Sequence, residues 1–243
     1  MGKHLNRDLE ILKKDLLTLG ALVEEALDKA IAALLQRRTE LVQEIADGDR
    51  RIDELEVELE ESCLKVLALH QPVAADLRFI ITTLKVNNDL ERMGDLAVNI
   101  ADRAASLAEF DPLDVLESLR ENTVRVRSMV RDCLDALVHV DTGKAREVCL
   151  LDARVDATHR HMFEVLQELM KTRSERVVQA VHTLSASRNL ERIADLATNI
   201  AEDVIFMAEG EVVRHRPLDI YGDRGRRDSP VRDSGRQAGV PEA

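Results

Sequence analysis

The feature that most constrains the fold is an internal duplication at a spacing of 100 residues. Residues 89–101 read DLERMGDLAVNIA and residues 189–201 read NLERIADLATNIA, and 9 of the 13 positions are identical. A weaker copy lies upstream, where DRRID at 49–53 resembles DARVD at 152–156. Self-similarity at this period predicts two copies of one structural unit in a chain of 243 residues.

The apolar residues recur with the period of an α-helix. In the first segment they follow spacings of three and four residues, at Leu9, Leu12, Leu16, Leu19, Val23, Ala26 and Ala30. A similar stripe in the fourth segment is interrupted by Asn122. Stripes of this kind face the core of a helix bundle, and no segment has the alternation of a β-hairpin. With proline and glycine, including Gly48, read as breaks, the sequence predicts helices over 5–46, 49–69, 73–108, 112–139, 142–171 and 174–209.

The predicted fold is therefore all-α, with two tandem three-helix bundles. The first repeat is expected over residues 1–110 and the second over 111–215, with Asp111 as the N-cap of the fourth helix and Pro112 as its first residue. Residues 216–243 contain few apolar side chains and are rich in Arg, Asp, Gly, Ser and Pro, so a disordered tail is predicted there.

Composition narrows the function classes. Aromatic residues are only 2% of the chain and the net charge is −12, which argues against nucleic-acid binding by stacking or by a basic surface. The three cysteines form no CxxC pair, the first residues carry no apolar secretion signal, and no run of 18 apolar residues occurs. A cytoplasmic protein with reduced cysteines is the expectation.

Acidic side chains recur along one face of the duplicated helices. Glu91, Asp95 and Asn99 are spaced four residues apart, and residues spaced in this way line up along an α-helix. The second copy repeats the pattern, and each preceding helix adds an Asp pair at i, i+4. The candidate metal ligands are Asp49, Asp53, Glu91, Asp95, Asn99 and Asp102 in the first repeat, and Asp152, Asp156, Glu191, Asp195, Asn199, Glu202 and Asp203 in the second.

Two interpretations of these acidic faces are open. Carboxylates one turn apart repel each other, and a bound cation removes that repulsion; oxygen ligands suit Mg²⁺, Mn²⁺ or Ca²⁺, and carboxylates also hold iron. Alternatively, the acidic residues form solvated faces or pair with Arg92 and Arg192, and the chain is a metal-free helical scaffold. The recurrence of both acidic pairs in both copies favours metal binding.

The sequence shows no catalytic constellation. It has no glycine-rich phosphate loop, no GxSxG and no HExxH motif, and the histidines at 159 and 161 are expected at the surface. A metallo-hydrolase that uses the same carboxylates is a third hypothesis, but no His or Lys is placed as its general base. We therefore predict a binding protein without enzymatic activity.

The chain resembles the PhoU family of accessory regulators of phosphate-specific transport. The resemblance rests on the LERMGDLAVNIA and LERIADLATNIA blocks, on LHQPVAADLRFI at 69–80 and on the DxxxD pairs, and it covers about residues 5–210. It implies two three-helix bundles, frequent homodimers and multinuclear metal sites with iron, zinc or magnesium. The second copy lacks a clear equivalent of HQPVAADLR, and the Arg-rich tail departs from the family pattern.

The resemblance also implies where the ligands lie and what the protein does. The family's E(D)xxxD positions match Glu91, Asp95, Glu191 and Asp195, with the Asp pairs of the preceding helices beside them. The implied role is negative regulation of phosphate uptake and of the phosphate-starvation response. Implied partners are the ATPase or permease of the phosphate ABC transporter and a sensor histidine kinase, with peripheral contact to the membrane.

Overall fold

The computed structural model describes residues 2–113, 116–211 and 213. Its helices are α1 (Gly2–Gln36), α2 (Leu41–His70), α3 (Ala74–Leu107), α4 (Leu116–His139), α5 (Thr142–Thr172) and α6 (Val177–Glu209), with a short 3₁₀ turn at Ser174–Arg176. Within these ranges no strand occurs, and the prediction of an all-α fold is confirmed. The predicted tail at 216–243 lies outside the described residues.

The predicted break near Gly48 is wrong, because Gly48 lies inside α2. The chain turns instead at residues 37–40, where Arg37 adopts a left-handed conformation with φ of 58°. The Arg37 guanidinium donates hydrogen bonds to the main-chain oxygens of Leu107, at 2.8 Å, and Phe110, which ties this turn to the end of α3. A glycine inside a helix costs only about 1 kcal/mol relative to alanine, so tertiary contacts can outweigh that cost and keep Gly48 helical.

The predicted start of α4 at Asp111–Pro112 is also wrong. Residues 111–113 are not helical, and α4 begins at Leu116. The main-chain oxygen of Asp111 accepts a hydrogen bond from the Gln179 side chain, which fixes this linker against α6. The clearest capping aspartate is instead Asp141, whose Oδ1 accepts from the backbone N–H of Gly143 at 2.9 Å and of Lys144 at 3.0 Å.

Helices α3 and α6, which carry the duplicated blocks, form the centre of the fold. Each packs against the other two helices of its own repeat, and the two also pack against each other. The apolar core is continuous across both repeats and includes Leu90 and Ile100 with their counterparts Leu190 and Ile200, all fully buried. The predicted stripe of α1 is buried from Leu12 onward. Tandem three-helix units thus share one core.

Side-chain contacts show that α3 and α6 run antiparallel. Arg78 Nε donates to the Met207 oxygen at 3.3 Å, Lys85 Nζ lies 3.1 Å from Asp203 Oδ1, and Arg103 Nη1 lies 3.4 Å from His182 Nδ1. As numbers rise along α3, the partners' numbers fall along α6. The duplicated blocks therefore cross near their centres, which brings Arg92 opposite the region of Asp195.

No helix in the described residues is both long enough and apolar enough to cross a membrane.

Candidate metal centre

Three aspartates of the second repeat converge between α5 and α6. Asp152 and Asp156 lie one turn apart on α5, and Asp195 lies on α6; one carboxylate oxygen from each falls within 4.8 Å of the other two. Their positions follow from packing, because the neighbouring Val155 and Ala194 are fully buried and α5 packs along α6. The aspartates are thereby held at the edge of that contact, half-buried or exposed.

The carboxylates of this cluster destabilise one another's ionised forms. Burial, and then repulsion from Asp156 and Asp195, raises the pKa of Asp152 to about 6. Burial, and then repulsion from Glu191 and Asp156, raises the pKa of Asp195 to about 6. These shifts mean that the folded chain disfavours the negative charges in the absence of a nearby cation.

The first repeat places the equivalent residues together at the α2–α3 contact. Burial, followed by repulsion from Asp53 and Asp95, raises the pKa of Asp49 to about 6. Burial and the same neighbours also raise the pKa of Glu91. In the part of the chain that the structure describes, however, only the second-repeat triplet brings three ligand atoms within 4.8 Å of one another. The first cluster is therefore the more open of the two.

Each cluster contains a buried carboxylate oxygen that has no hydrogen-bond partner among the residues that the structure describes. These atoms are Asp49 Oδ1 and Asp152 Oδ1, which occupy equivalent positions in the two repeats. A buried acceptor without a partner costs about 1–3 kcal/mol, so such atoms are rare in native proteins. Their occurrence at matching positions is the observation that fits the residues to a bound cation.

The ligand spacing agrees with a hard divalent ion. Opposite oxygens around one ion lie about 4.2 Å apart for Mg²⁺ and about 4.8 Å apart for Ca²⁺, twice the respective metal–oxygen distances. The second-repeat oxygens, within 4.8 Å of each other, therefore need little or no movement to share an ion. Three carboxylates also supply the charge and the oxygen donors that magnesium, manganese and iron accept.

Gly94 sets how closely α2 approaches α3 at the first cluster. A Cβ atom at this position would lie 3.0 Å from Asp49 Oδ1 and 3.1 Å from Ile52 Cδ1. The second repeat has Ala194 at the matching position, fully buried. Gly94 therefore lets Asp49 lie directly against the α3 backbone.

Apart from Asp203, the remaining predicted ligands divide into three groups. Glu91 and Glu191 are half-buried and stand beside the clusters, and burial raises the pKa of Glu191 as it does that of Glu91. Asn199 and Glu202 line an open groove next to Asp152 and Asp195, whereas Asn99 and Asp102 are exposed on α3.

Asp203 lies apart from the cluster. It is almost fully buried, and its Oδ1 pairs with Lys85 Nζ at 3.1 Å in the contact between α6 and α3. Its side chain therefore contributes to the joining of the two repeats.

Each Asp pair is followed, one helical turn later, by a residue that was not predicted as a ligand, and the two residues occupy equivalent positions in the two repeats. In the first repeat it is Glu56, whose main-chain oxygen accepts from Asn87 Nδ2 at 2.9 Å. In the second it is His159, whose Nδ1 is hydrogen-bonded to Ser187 Oγ at 2.9 Å. His159 is half-buried rather than on the surface as expected, and burial lowers its pKa. The matching spacing from Asp53 and from Asp156 is the sequence signal that could have identified them.

The chain matches the family model described as "PhoU domain" twice, over residues 16–104 and 119–204. The chain belongs to the PhoU family. A PhoU homologue from Aquifex aeolicus, described as a phosphate-specific transport system accessory protein, is 38% identical over 219 residues, 90% of this chain and 99% of that protein. A Pseudomonas putida homologue with the same description is 36% identical over 220 residues, 90% of this chain and 86% of that protein.

Two solved PhoU structures have the same fold. The crystal structure of PhoU from Pseudomonas aeruginosa aligns with a TM-score of 0.82 at 36% identity, over 85% of this chain and 99% of that chain. The phosphate transport system regulatory protein PhoU from Streptococcus pneumoniae aligns with a TM-score of 0.80 at 31% identity, over 86% of this chain and 99% of that chain. The six-helix PhoU architecture therefore extends over most of the chain.

Proposed function

We propose that this PhoU protein is a metal-binding, non-enzymatic regulator of phosphate uptake. The observation that carries the proposal is the convergence of Asp152, Asp156 and Asp195. The Oδ1 atoms of Asp152 and Asp49 support it, since both are buried without a hydrogen-bond partner among the described residues. The relatives' description as accessory proteins of a phosphate-specific transport system supplies the process. Iron, zinc, magnesium and manganese are the candidate ions.

A bound ion would stabilise the contact between the two helices that supply its ligands. In the second repeat these are α5 and α6, and α6 in turn packs against α3 of the first repeat. Since a ligand that binds only the folded state adds stability by mass action, metal loading would raise the free energy of unfolding of the protein. It would also convert an acidic surface into one that accepts anionic partners.

The proposed partners are the ATPase or permease of the phosphate ABC transporter, a sensor histidine kinase and a second copy of this chain, at the cytoplasmic face of the membrane. The turn between α2 and α3 offers a suitable surface. It exposes Leu69 by 61% and Val73 by 74%, and Leu77 and Ile81 continue the exposed apolar row onto α3. Exposed apolar residues in a row are characteristic of protein contact sites.

The test is complementation of a bacterium that lacks its own PhoU. In phosphate-rich medium, the wild-type chain should repress a reporter of the phosphate-starvation response, and the variant Asp152→Asn/Asp195→Asn should not. Glu164→Gln, a neutralisation at an exposed position of α5, is the matched control and should repress like the wild type. A double variant that represses fully at equal protein level would contradict the role of the metal.

A metal-free scaffold is the second candidate, and it is favoured by the many surface ion pairs, such as Arg127 with Asp28 and Arg131 with Glu24 between α4 and α1. Thermal unfolding with and without a chelator separates the two candidates. The scaffold predicts identical curves, whereas metal binding predicts a lower midpoint in the chelator. A phosphoester-hydrolysis assay on the metal-loaded protein tests for the hydrolase, and we expect no turnover.

A further inference from the structure

The second-repeat cluster opens into a groove that contains positive as well as negative side chains. Its lining includes Arg92, Arg192, Asp152, Asp195, Thr198 and Glu202. Arg92 belongs to the first repeat and reaches this groove because α3 and α6 cross antiparallel. Two guanidinium groups beside a carboxylate cluster are not required for binding a cation, since they repel it.

We infer that this groove is a metal-dependent site for a phosphate group, with Arg92 and Arg192 as its anion-binding residues. The inference deepens the proposed function, because it rests on a metal ion held by Asp152, Asp156 and Asp195. Guanidinium groups present several N–H donors in a planar fork that matches the oxygens of phosphate. A divalent ion next to them supplies the remaining positive charge.

Charge arithmetic explains why the metal must bind first. The groove and the aspartate cluster together contain four carboxylates, Asp152, Asp156, Asp195 and Glu202, against the two guanidinium groups of Arg92 and Arg192, so without metal their net charge is −2. In that state the groove repels an anion. One divalent ion cancels this charge, and a second ion makes the groove positive, so that the arginines attract phosphate instead of only balancing the aspartates.

The groove wall also has a buried hydroxyl group beside the cluster. Thr198 Oγ1 is buried next to Asp152, and its interaction with that carboxylate lowers the pKa of Asp152 against the larger effect of burial. Arg92 forms a long ion pair, at 3.7 Å from Asp89 Oδ1, and half of its side chain is exposed. Its guanidinium can therefore turn toward a ligand at small cost, because exposed ion pairs contribute about 0–1 kcal/mol.

The two repeats differ at this groove. The residue that matches Thr198 is Val98, which has no hydroxyl group. The first cluster, where Asn99 and Asp102 are exposed, is the more open. The phosphate group is therefore assigned to the second repeat alone, with one site per chain.

Equilibrium dialysis of the full chain with radiolabelled inorganic phosphate tests the inference, with Mn²⁺ present or with chelator. We expect one phosphate per chain with Mn²⁺ and none with chelator. Arg92→Gln and Arg192→Gln should each weaken phosphate retention at least tenfold while the manganese content stays unchanged. Arg188→Gln, one turn earlier on α6 and outside the groove, is the matched control and should change retention less than threefold.

The outcomes separate this inference from the proposed function. Manganese retained at Asp152, Asp156 and Asp195 without any phosphate would overturn the phosphate site and leave the metal site standing. If the wild-type chain binds neither manganese nor phosphate, both the phosphate site and the metal site are wrong. Phosphoserine in place of inorganic phosphate distinguishes the source: competition by phosphoserine indicates a phosphorylated partner, and its failure to compete indicates the free ion. Equal retention by the arginine variants would contradict the assignment of these residues.

Discussion

Neutralising Asp152 should have opposite effects on the metal-free and the metal-loaded protein. The pKa of Asp152 is raised from 3.8 to about 6, which at one unit per 1.36 kcal/mol sets a ceiling of about 3 kcal/mol on the cost of its charge at neutral pH. Because this carboxylate is only half-buried, solvent screening reduces the cost to about 1 kcal/mol. Asp152→Asn should therefore raise the unfolding midpoint of the metal-free chain by about 2–4 °C.

In the presence of metal, the wild-type chain should be more stable than Asp152→Asn, the reverse of the order without metal. A ligand at 100 times its dissociation constant adds about 2.7 kcal/mol, which for a chain of this length raises the wild-type midpoint by about 5–10 °C. Asp152→Asn, which lacks one ligand charge, should gain less than half of that increase. Differential scanning calorimetry at pH 7.5 with chelator and with Mn²⁺ measures both effects, and Glu164→Gln should behave as the wild type does in each. A variant destabilised without metal, or stabilised by metal as much as the wild type, would refute the reasoning.

Three further predictions follow from the same contacts. The pKa values of Asp49, Asp152 and Asp195 are each raised to about 6, so above pH 4 the folded metal-free chain binds more protons than the unfolded chain. Its free energy of unfolding should therefore be greatest near pH 4 and fall by roughly 3 kcal/mol in total toward pH 7. Urea titrations measure this dependence, and an increase in stability from pH 4 to pH 7 would contradict the prediction. Gly94→Ala should lower the free energy of unfolding by about 1 kcal/mol, because overpacking against Asp49 and Ile52 exceeds the gain in helix propensity. The variant should also bind less manganese, and an unchanged manganese content would argue against the close approach of Asp49 to the α3 backbone. Lys85→Met should cost about 2 kcal/mol in chemical denaturation because it removes the ammonium group beside the buried Asp203, and a neutral effect would contradict the importance of that pair.

The fold could be predicted from the sequence in the segments where the helical period of apolar residues is clear or the duplication repeats it. The buried stripe from Leu12 to Ala30 and the paired α3 and α6 blocks are examples. Boundaries that depend on contacts far along the chain could not be predicted. The turn at Arg37 is fixed by main-chain oxygens at the end of α3, and the linker at Asp111 by Gln179 of α6. Local signals at Gly48 and Pro112 were therefore misleading.

The candidate site was predictable within each repeat but not between repeats. Spacing of four residues identified Asp152 with Asp156, and the duplication added Asp195. Asp203 shares the acidic pattern, yet it faces Lys85 of the other repeat, because the antiparallel crossing of α3 and α6 is a tertiary feature with no local signal. The same crossing brings Arg92 into the second groove, whereas the sequence indicated it only as an ion-pair partner for the acidic faces.

The most direct test of the metal-binding account is anomalous diffraction from crystals of the full chain grown with Mn²⁺. The account predicts a manganese peak within about 2.5 Å of carboxylate oxygens of Asp152, Asp156 and Asp195, and a second group of peaks at Asp49, Asp53 and Asp95. Well-ordered aspartates at these positions that face solvent, with no anomalous peak beside them, would contradict it.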